Sequence, residues 1–188
     1  MFKDKELLWL LNTIIDSEEN VPIGFYTSQW FANFFLTDLD HYIKENLKLK
    51  YYIRYADDMV LFSNNKKNLH KARILIEEYL KKENLKLKEN YSLFKVDNRF
   101  IDFLGYKFYR GYITLRRGIF LKIKRKVKRI YKKKYINIHN AYSMISYNGW
   151  IIHSNYYNYY NKNIKPYINI EECKKIICLH DKKRMMDS

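Results

Sequence analysis

The sequence predicts an α+β fold, with a small antiparallel sheet packed on helices in residues 1–117 and a basic helical part in residues 118–188. Three observations predict it. Two β-branched and aromatic runs, Tyr51-Tyr52-Ile53-Arg54 and Met59-Val60-Leu61-Phe62, flank an Asp-Asp pair and read as a hairpin. Around them, apolar residues recur at helical spacing. From Gly118 to Lys134 the acids vanish while Lys and Arg crowd in, so the second part differs in composition from the first.

The elements follow in order. Asp4 is a fitting N-cap for an amphipathic helix on which Leu7, Leu8, Leu11, Ile14 and Ile15 share a face. Pro22-Ile23-Gly24-Phe25-Tyr26-Thr27-Ser28-Gln29 opens a second helix, and the hairpin Tyr51–Phe62 carries Tyr55-Ala56-Asp57-Asp58 at its tip. Asn64-Asn65 punctuate, after which Leu69, Ala72, Ile76, Tyr79 and Leu80 predict a helix from about Lys66 to Lys82. Next comes a strand-rich stretch: Leu85–Lys88, Tyr91–Val96, Phe100–Phe103, a turn at Gly105, Tyr106–Tyr109, a turn at Arg110-Gly111, and Tyr112–Leu115. For most of these residues an ordinary meander is a sufficient account.

The helix predicted from Gly118 to Lys134 keeps one apolar face of Ile119, Phe120, Ile123, Val127, Ile130 and Tyr131. Its remaining positions hold Lys122, Lys124, Arg125, Lys126, Lys128, Arg129, Lys132, Lys133 and Lys134. Such a run can be a merely solvated face, but without balancing acids it repels itself unless phosphates are near. Tyr135 to Ser188 is rich in Asn and Tyr; His153 is expected to be a buried or half-buried packing residue, and a short helix is expected around Ile170–Leu179 with a frayed, charged end.

A chain of 188 residues can bury one good core, yet 36 basic against 20 acidic residues give a net charge of +16. That surface suits a polyanion. No stretch approaches about 18 apolar residues and the first residues lack the regions of a signal peptide, so a soluble, cytoplasmic protein without a membrane partner is expected. Cys173 and Cys178, with no His at zinc spacing, read as reduced thiols.

The Asp57-Asp58 pair admits two readings. Asp is a good turn residue, so a solvated β-turn accounts for the dipeptide. Transfer of a nucleotidyl group instead calls for two Mg²⁺ ions about 4 Å apart, held by carboxylates on a rigid support.

At this tetrapeptide the chain resembles the reverse transcriptases, whose palm carries a Tyr-x-Asp-Asp box on such a hairpin. The resemblance implies Asp57 as the surer catalytic metal ligand and Asp58 as a supporting one, with Tyr55 and Ala56 beside the template and nucleotide. Upstream, Pro22 to Gln29 resembles the family's second palm motif, implying that Gly24, Ser28 and Gln29 line that pocket. Downstream, Ile101-Asp102-Phe103-Leu104-Gly105-Tyr106 resembles the primer-grip turn, implying Phe103, Leu104 and Gly105 at the primer end. Three motifs in family order span about residues 21 to 110. The second departs from the common Gln-Gly-x-x-x-Ser-Pro pattern, since Ile23 replaces the Gln and Gln29 the Pro. That form is typical of diversity-generating retroelements, whose copying is error-prone at template adenines.

What the resemblance implies is a partial palm over residues 1–117 and a basic helical thumb and tail over 118–188. Lys122, Arg125, Lys126 and Arg129 would lie on the nucleic-acid backbone, Mg²⁺ would be the cofactor, and RNA template, DNA primer or cDNA and dNTP would be the partners. The 20 residues before Val21 hold no strand with the family's further palm Asp, so the sequence reads as the carboxyl-terminal part of such an enzyme. A truncated gene, a partial sequence, or an accessory or upstream fragment from another polypeptide would each account for that. An alternative to the polymerase is an inactive module that binds RNA or RNA–DNA hybrid.

Overall fold

In the computed structural model, which describes residues 3–17 and 26–186, helix α1 spans Lys5–Ile15. Asp4 caps it as expected, its Oδ1 accepting from the amides of Glu6 at 2.9 Å and Leu7 at 3.2 Å. None of its residues is buried. The segment 18–25, which includes the start of the second motif, lies outside the described residues. Helix α2 then runs Tyr26–Phe35, and α3, Thr37–His41, continues into a π-helical turn at Tyr42–Asn46.

The hairpin forms where the β-branched runs placed it. Strands β1, Tyr51–Tyr55, and β2, Asp58–Phe62, pair antiparallel with Tyr51 opposite Phe62 and Tyr55 opposite Asp58. Period-2 alternation sends Tyr52, Met59 and Leu61 inward and leaves Tyr51, Ile53 and Tyr55 exposed. Helix α4, Lys66–Lys82, has the predicted bounds, with Asn65 accepting from the Lys67 amide at 2.9 Å. Its Ala72, Ile76 and Leu80 close a core with Leu39, Ile43 and Leu49. These elements belong to a compact unit comprising residues 1–91; a second comprises residues 92–188.

After α4 the expectation of two strands, Leu85–Lys88 and Tyr91–Val96, fails: both segments are irregular. Alternation gives a chain two faces, but a strand exists only where a neighbour accepts its N–H groups, and no such ladder forms there among the described residues. Side chains take other partners: the Arg73 guanidinium lies 4.3 Å from the centre of the Tyr91 ring.

In the second unit, β3 (Ile101–Phe103), β4 (Tyr106–Phe108) and β5 (Ile113–Leu115) form an antiparallel meander in that order. The tight β3–β4 turn places Leu104 at φ 49° and Gly105 at φ 81°, both left-handed. The outer edge of β5 meets Asn155, whose Oδ1 accepts from the Ile113 amide at 2.6 Å while its own amide donates to the Ile113 carbonyl at 2.8 Å. Helices α5 (Arg117–Lys133), α6 (Ile138–Ile152), α7 (Tyr157–Asn163) and α8 (Ile170–Met186) follow. Their core joins Ile123, Val127 and Ile130 to Ala141, Met144, Ile151, Ile164, Ile168 and Cys173, with Leu115 of the sheet included.

The packing break thus falls at residue 91, ahead of the compositional break at Gly118, because the meander buries its apolar face on helices that follow it in sequence. Two smaller expectations are corrected. His153 is exposed at the end of α6, since the buried stripe of that helix ends at Ile151. Helix α8 does not stop near Leu179 but continues to Met186.

Gly105 allows a prediction. A Cβ there would lie 2.6 Å from the Trp150 ring and 2.8 Å from Ile119 Cδ1, and φ is already left-handed. Gly105→Ala is therefore expected to destabilise the second unit by about 2–4 kcal/mol through steric overlap and backbone strain together. A denaturant titration followed by Trp150 fluorescence checks it.

Candidate active site

Strand pairing between Tyr55 and Asp58 leaves a two-residue loop, Ala56-Asp57. The two acids therefore differ in place: Asp57 sits in the turn, and Asp58 is the first residue of β2. Both are exposed. Ala56 adopts φ 51°, a left-handed conformation that costs a non-glycine residue about 1 kcal/mol. The Asp57 side chain is 76 % exposed and meets Lys88 Nζ at 3.3 Å, a surface pair that ties it only weakly.

Beneath the tip lies a network that the sequence reading did not single out. Arg54, inward-facing on β1, grips Asp40 of α3 with two bonds, Nε to Oδ1 at 2.8 Å and Nη2 to Oδ2 at 2.5 Å. Its Nη1 donates to the Ala56 carbonyl and to Asn33 Oδ1 of α2, each at 3.0 Å. Tyr52 donates its hydroxyl to Asp40 Oδ1 at 2.8 Å. Burial alone would push the Asp40 carboxyl up, but the hydrogen bonds from Arg54 and Tyr52 and the Arg54 charge outweigh it and hold that carboxyl below its ordinary value. Burial and then the bond to Asp40 raise the Tyr52 phenol. A signal was present: Arg54 shares the Tyr52 face of an apolar strand, and a cation facing a core needs a fixed acid.

The other predicted residues fall as follows. Ser28 and Gln29 lie on the first turn of α2, half-buried and exposed respectively, while Gly24 is outside the described residues. Tyr55 is exposed and Ala56 half-buried. In the second unit Phe103 ends β3, Leu104 and Gly105 form its turn, and Gly105 is fully enclosed beneath the Trp150 ring. Tyr106 closes over the same ring, with centroids 5.0 Å apart. On α5, Lys122, Arg125 and Arg129 are exposed and Lys126 is half-buried, opposite the buried Ile123, Val127 and Ile130. No ion pair among the described residues uses a cation of this helix.

Asp57 and Asp58 offer only carboxylate oxygens, a donor set that suits a hard cation such as Mg²⁺. Among the described residues no cluster of three or more His, Cys, Asp or Glu side chains could enclose a metal, so these two stand without a third protein ligand there. Both cysteines are free, and burial raises the Cys173 thiol. Among the described residues no helix is long and apolar enough to cross a membrane.

Residues 9–108 match the family model described as reverse transcriptase (RNA-dependent DNA polymerase), which takes in the hairpin, its buttress and the β3–β4 turn. The chain belongs to the reverse transcriptase family. Retron Ec73 reverse transcriptase of Escherichia coli is 45 % identical over 69 residues, which cover 34 % of this chain and 22 % of the retron enzyme. The match thus spans about a fifth of that relative's length. Helices α5 to α8 lie beyond the residues that the family model matches.

Proposed function

We propose that the chain carries the metal-binding hairpin and part of the template-primer grip of an RNA-directed DNA polymerase that copies RNA into cDNA. The observation that carries this reading is the exposed Asp57-Asp58 pair on a tight turn fixed from below by Arg54. In this reading residues 1–117 form part of a palm, and a thumb begins at Gly118. Asp57 and Asp58 hold Mg²⁺, which when bound neutralises charge at the transferring phosphate. Gly24, Ser28, Gln29, Tyr55 and Ala56 line the pocket for template and dNTP, and Phe103, Leu104 and Gly105 steady the primer end. The primer 3′-oxygen attacks the α-phosphate of the dNTP in line and pyrophosphate leaves. Lys122, Arg125, Lys126 and Arg129 meet backbone phosphates, the contact an A-form hybrid permits because its deep groove hides base identity.

A second reading, a module that binds RNA or RNA–DNA hybrid without copying it, is favoured by one observation. Among the described residues no third acid joins Asp57 and Asp58, and two carboxylates from one hairpin leave a cation mostly to water. Primer extension on an RNA template with dNTPs and Mg²⁺ separates the two. The purified chain is expected to extend little by itself and to gain activity when a palm segment bearing a further Asp is supplied. Hybrid binding without extension in the supplemented mixture would leave the binding module as the better account.

Within the family, Ile23 and Gln29 support the diversity-generating type, while the likeness to the retron enzyme supports a retron type. Misincorporation concentrated at template adenines in the active mixture is the outcome expected of the first.

A further inference from the structure

We infer that Arg54 is a positioning residue: its guanidinium fixes the Ala56-Asp57 turn against α2 and α3 and so sets where Asp57 and Asp58 present their oxygens. The inference rests on the reading of those acids as metal ligands. Its geometry is independent of that reading.

The Arg54 side chain is 10 % exposed, and Asp40, at 33 %, already neutralises it through two bonds. A simple ion pair would be complete at that point. Of the donors left, Nη1 is spent on the Ala56 carbonyl, inside the loop, and on Asn33 Oδ1, on a separate helix, and Nη2 also reaches the Asn33 main-chain carbonyl at 3.5 Å. Ala56 holds a left-handed φ, so its peptide orientation is the least favourable in the turn, and the bond to its carbonyl offsets that cost. Asn33 lies five residues beyond Ser28 on α2, roughly 7.5 Å along the axis, so the same guanidinium registers the turn with the helix bearing Ser28 and Gln29. Only a planar fork with several fixed donors serves three partners at once; a lysine ammonium is a point charge on a flexible stem. Because Asp40 stays ionised below the ordinary carboxylate range, the clamp is permanent at neutral pH.

The test is Arg54→Lys in the full chain, which keeps a cation beside Asp40 but cannot span the three acceptors. Amide hydrogen exchange by NMR should quicken about tenfold at Ala56, Asp57 and Asp58, with Leu39, Ile43 and Ile76 unchanged. Affinity for Mn²⁺ as probe, read by water-proton relaxation, should fall about tenfold, as when a group supporting a metal ligand is lost. Asn33→Ala, at an exposed position of α2, removes one acceptor and should quicken tip exchange about threefold. Unchanged tip exchange in Arg54→Lys overturns the inference, as does unchanged or tighter Mn²⁺ binding in Arg54→Lys where the unmodified chain binds Mn²⁺. If Arg54→Lys unfolds the unit, Asn33→Ala decides: unchanged tip exchange there overturns the inference. Absence of Mn²⁺ binding in the unmodified chain would count against the metal reading of Asp57 and Asp58, while tip exchange would still decide the role of Arg54.

Discussion

Asp57→Asn is expected to lower primer extension in the supplemented enzyme by about a hundredfold or more, while affinity for an RNA–DNA hybrid changes little or rises slightly. The substitution keeps size and turn propensity and touches neither the Arg54 bonds nor the strand pairs, so the hairpin persists. What it removes is one charged oxygen donor. Loss of a group that merely supports a metal ligand already costs about 10–100-fold, and a ligand itself should cost more. In the proposed reading this surface meets phosphate, so removing a negative charge relieves repulsion and binding should not weaken. Asp58→Asn, at the strand end, is expected to cost less. Single-turnover extension beside equilibrium hybrid binding checks both, and equal loss of binding and activity at Asp57 would make the hairpin structural.

Changing Lys122, Arg125, Lys126 and Arg129 together to Gln is expected to remove much of the nucleic-acid affinity and to flatten its salt dependence. Each lost phosphate contact removes about 0.9 units of slope in log affinity against log salt, so four contacts give a change of roughly 3.6. The loss should be uniform across sequences, because backbone contacts carry no base information. The fold should survive, since Ile123, Val127 and Ile130 hold the helix by its other face and Gln is a good helix former. Lys126 is half-buried, so its aliphatic stem contributes some packing and a small fall in stability is expected from that position alone. Fluorescence titration of a labelled hybrid at several salt concentrations decides; an unchanged slope returns this helix to a merely solvated face.

Where the signal was local, the sequence was easily read. Asp4 as a cap, the break at Asn64-Asn65, the hairpin between Tyr51 and Phe62, the turn at Gly105 and the bounds of α4 each depend on a few neighbouring residues. Helix α5 was likewise legible, because a buried stripe every three or four residues amid cations has one solution. The failures are non-local. Leu85–Lys88 alternates like a strand, but whether it becomes one depends on a neighbour that its own residues do not specify. The Asp57-Asp58 pair was visible from the Tyr-Ala-Asp-Asp box, whereas the Asp40–Arg54 pair spans fourteen positions and two elements. Pairing over that separation is set by where α3 and β1 come to rest.

One detail of the second unit bears on solubility. A short meander ends in a strand whose outward N–H and C=O groups are an open template on which another copy could pair, a hazard for a chain with many β-branched and aromatic residues. At Ile113 that template is already occupied from both sides by Asn155, whose side-chain amide oxygen and main-chain N–H mimic one rung of a neighbouring strand. A single asparagine after α6 thus serves as a plug against edge-to-edge aggregation, without adding a fourth strand to the sheet.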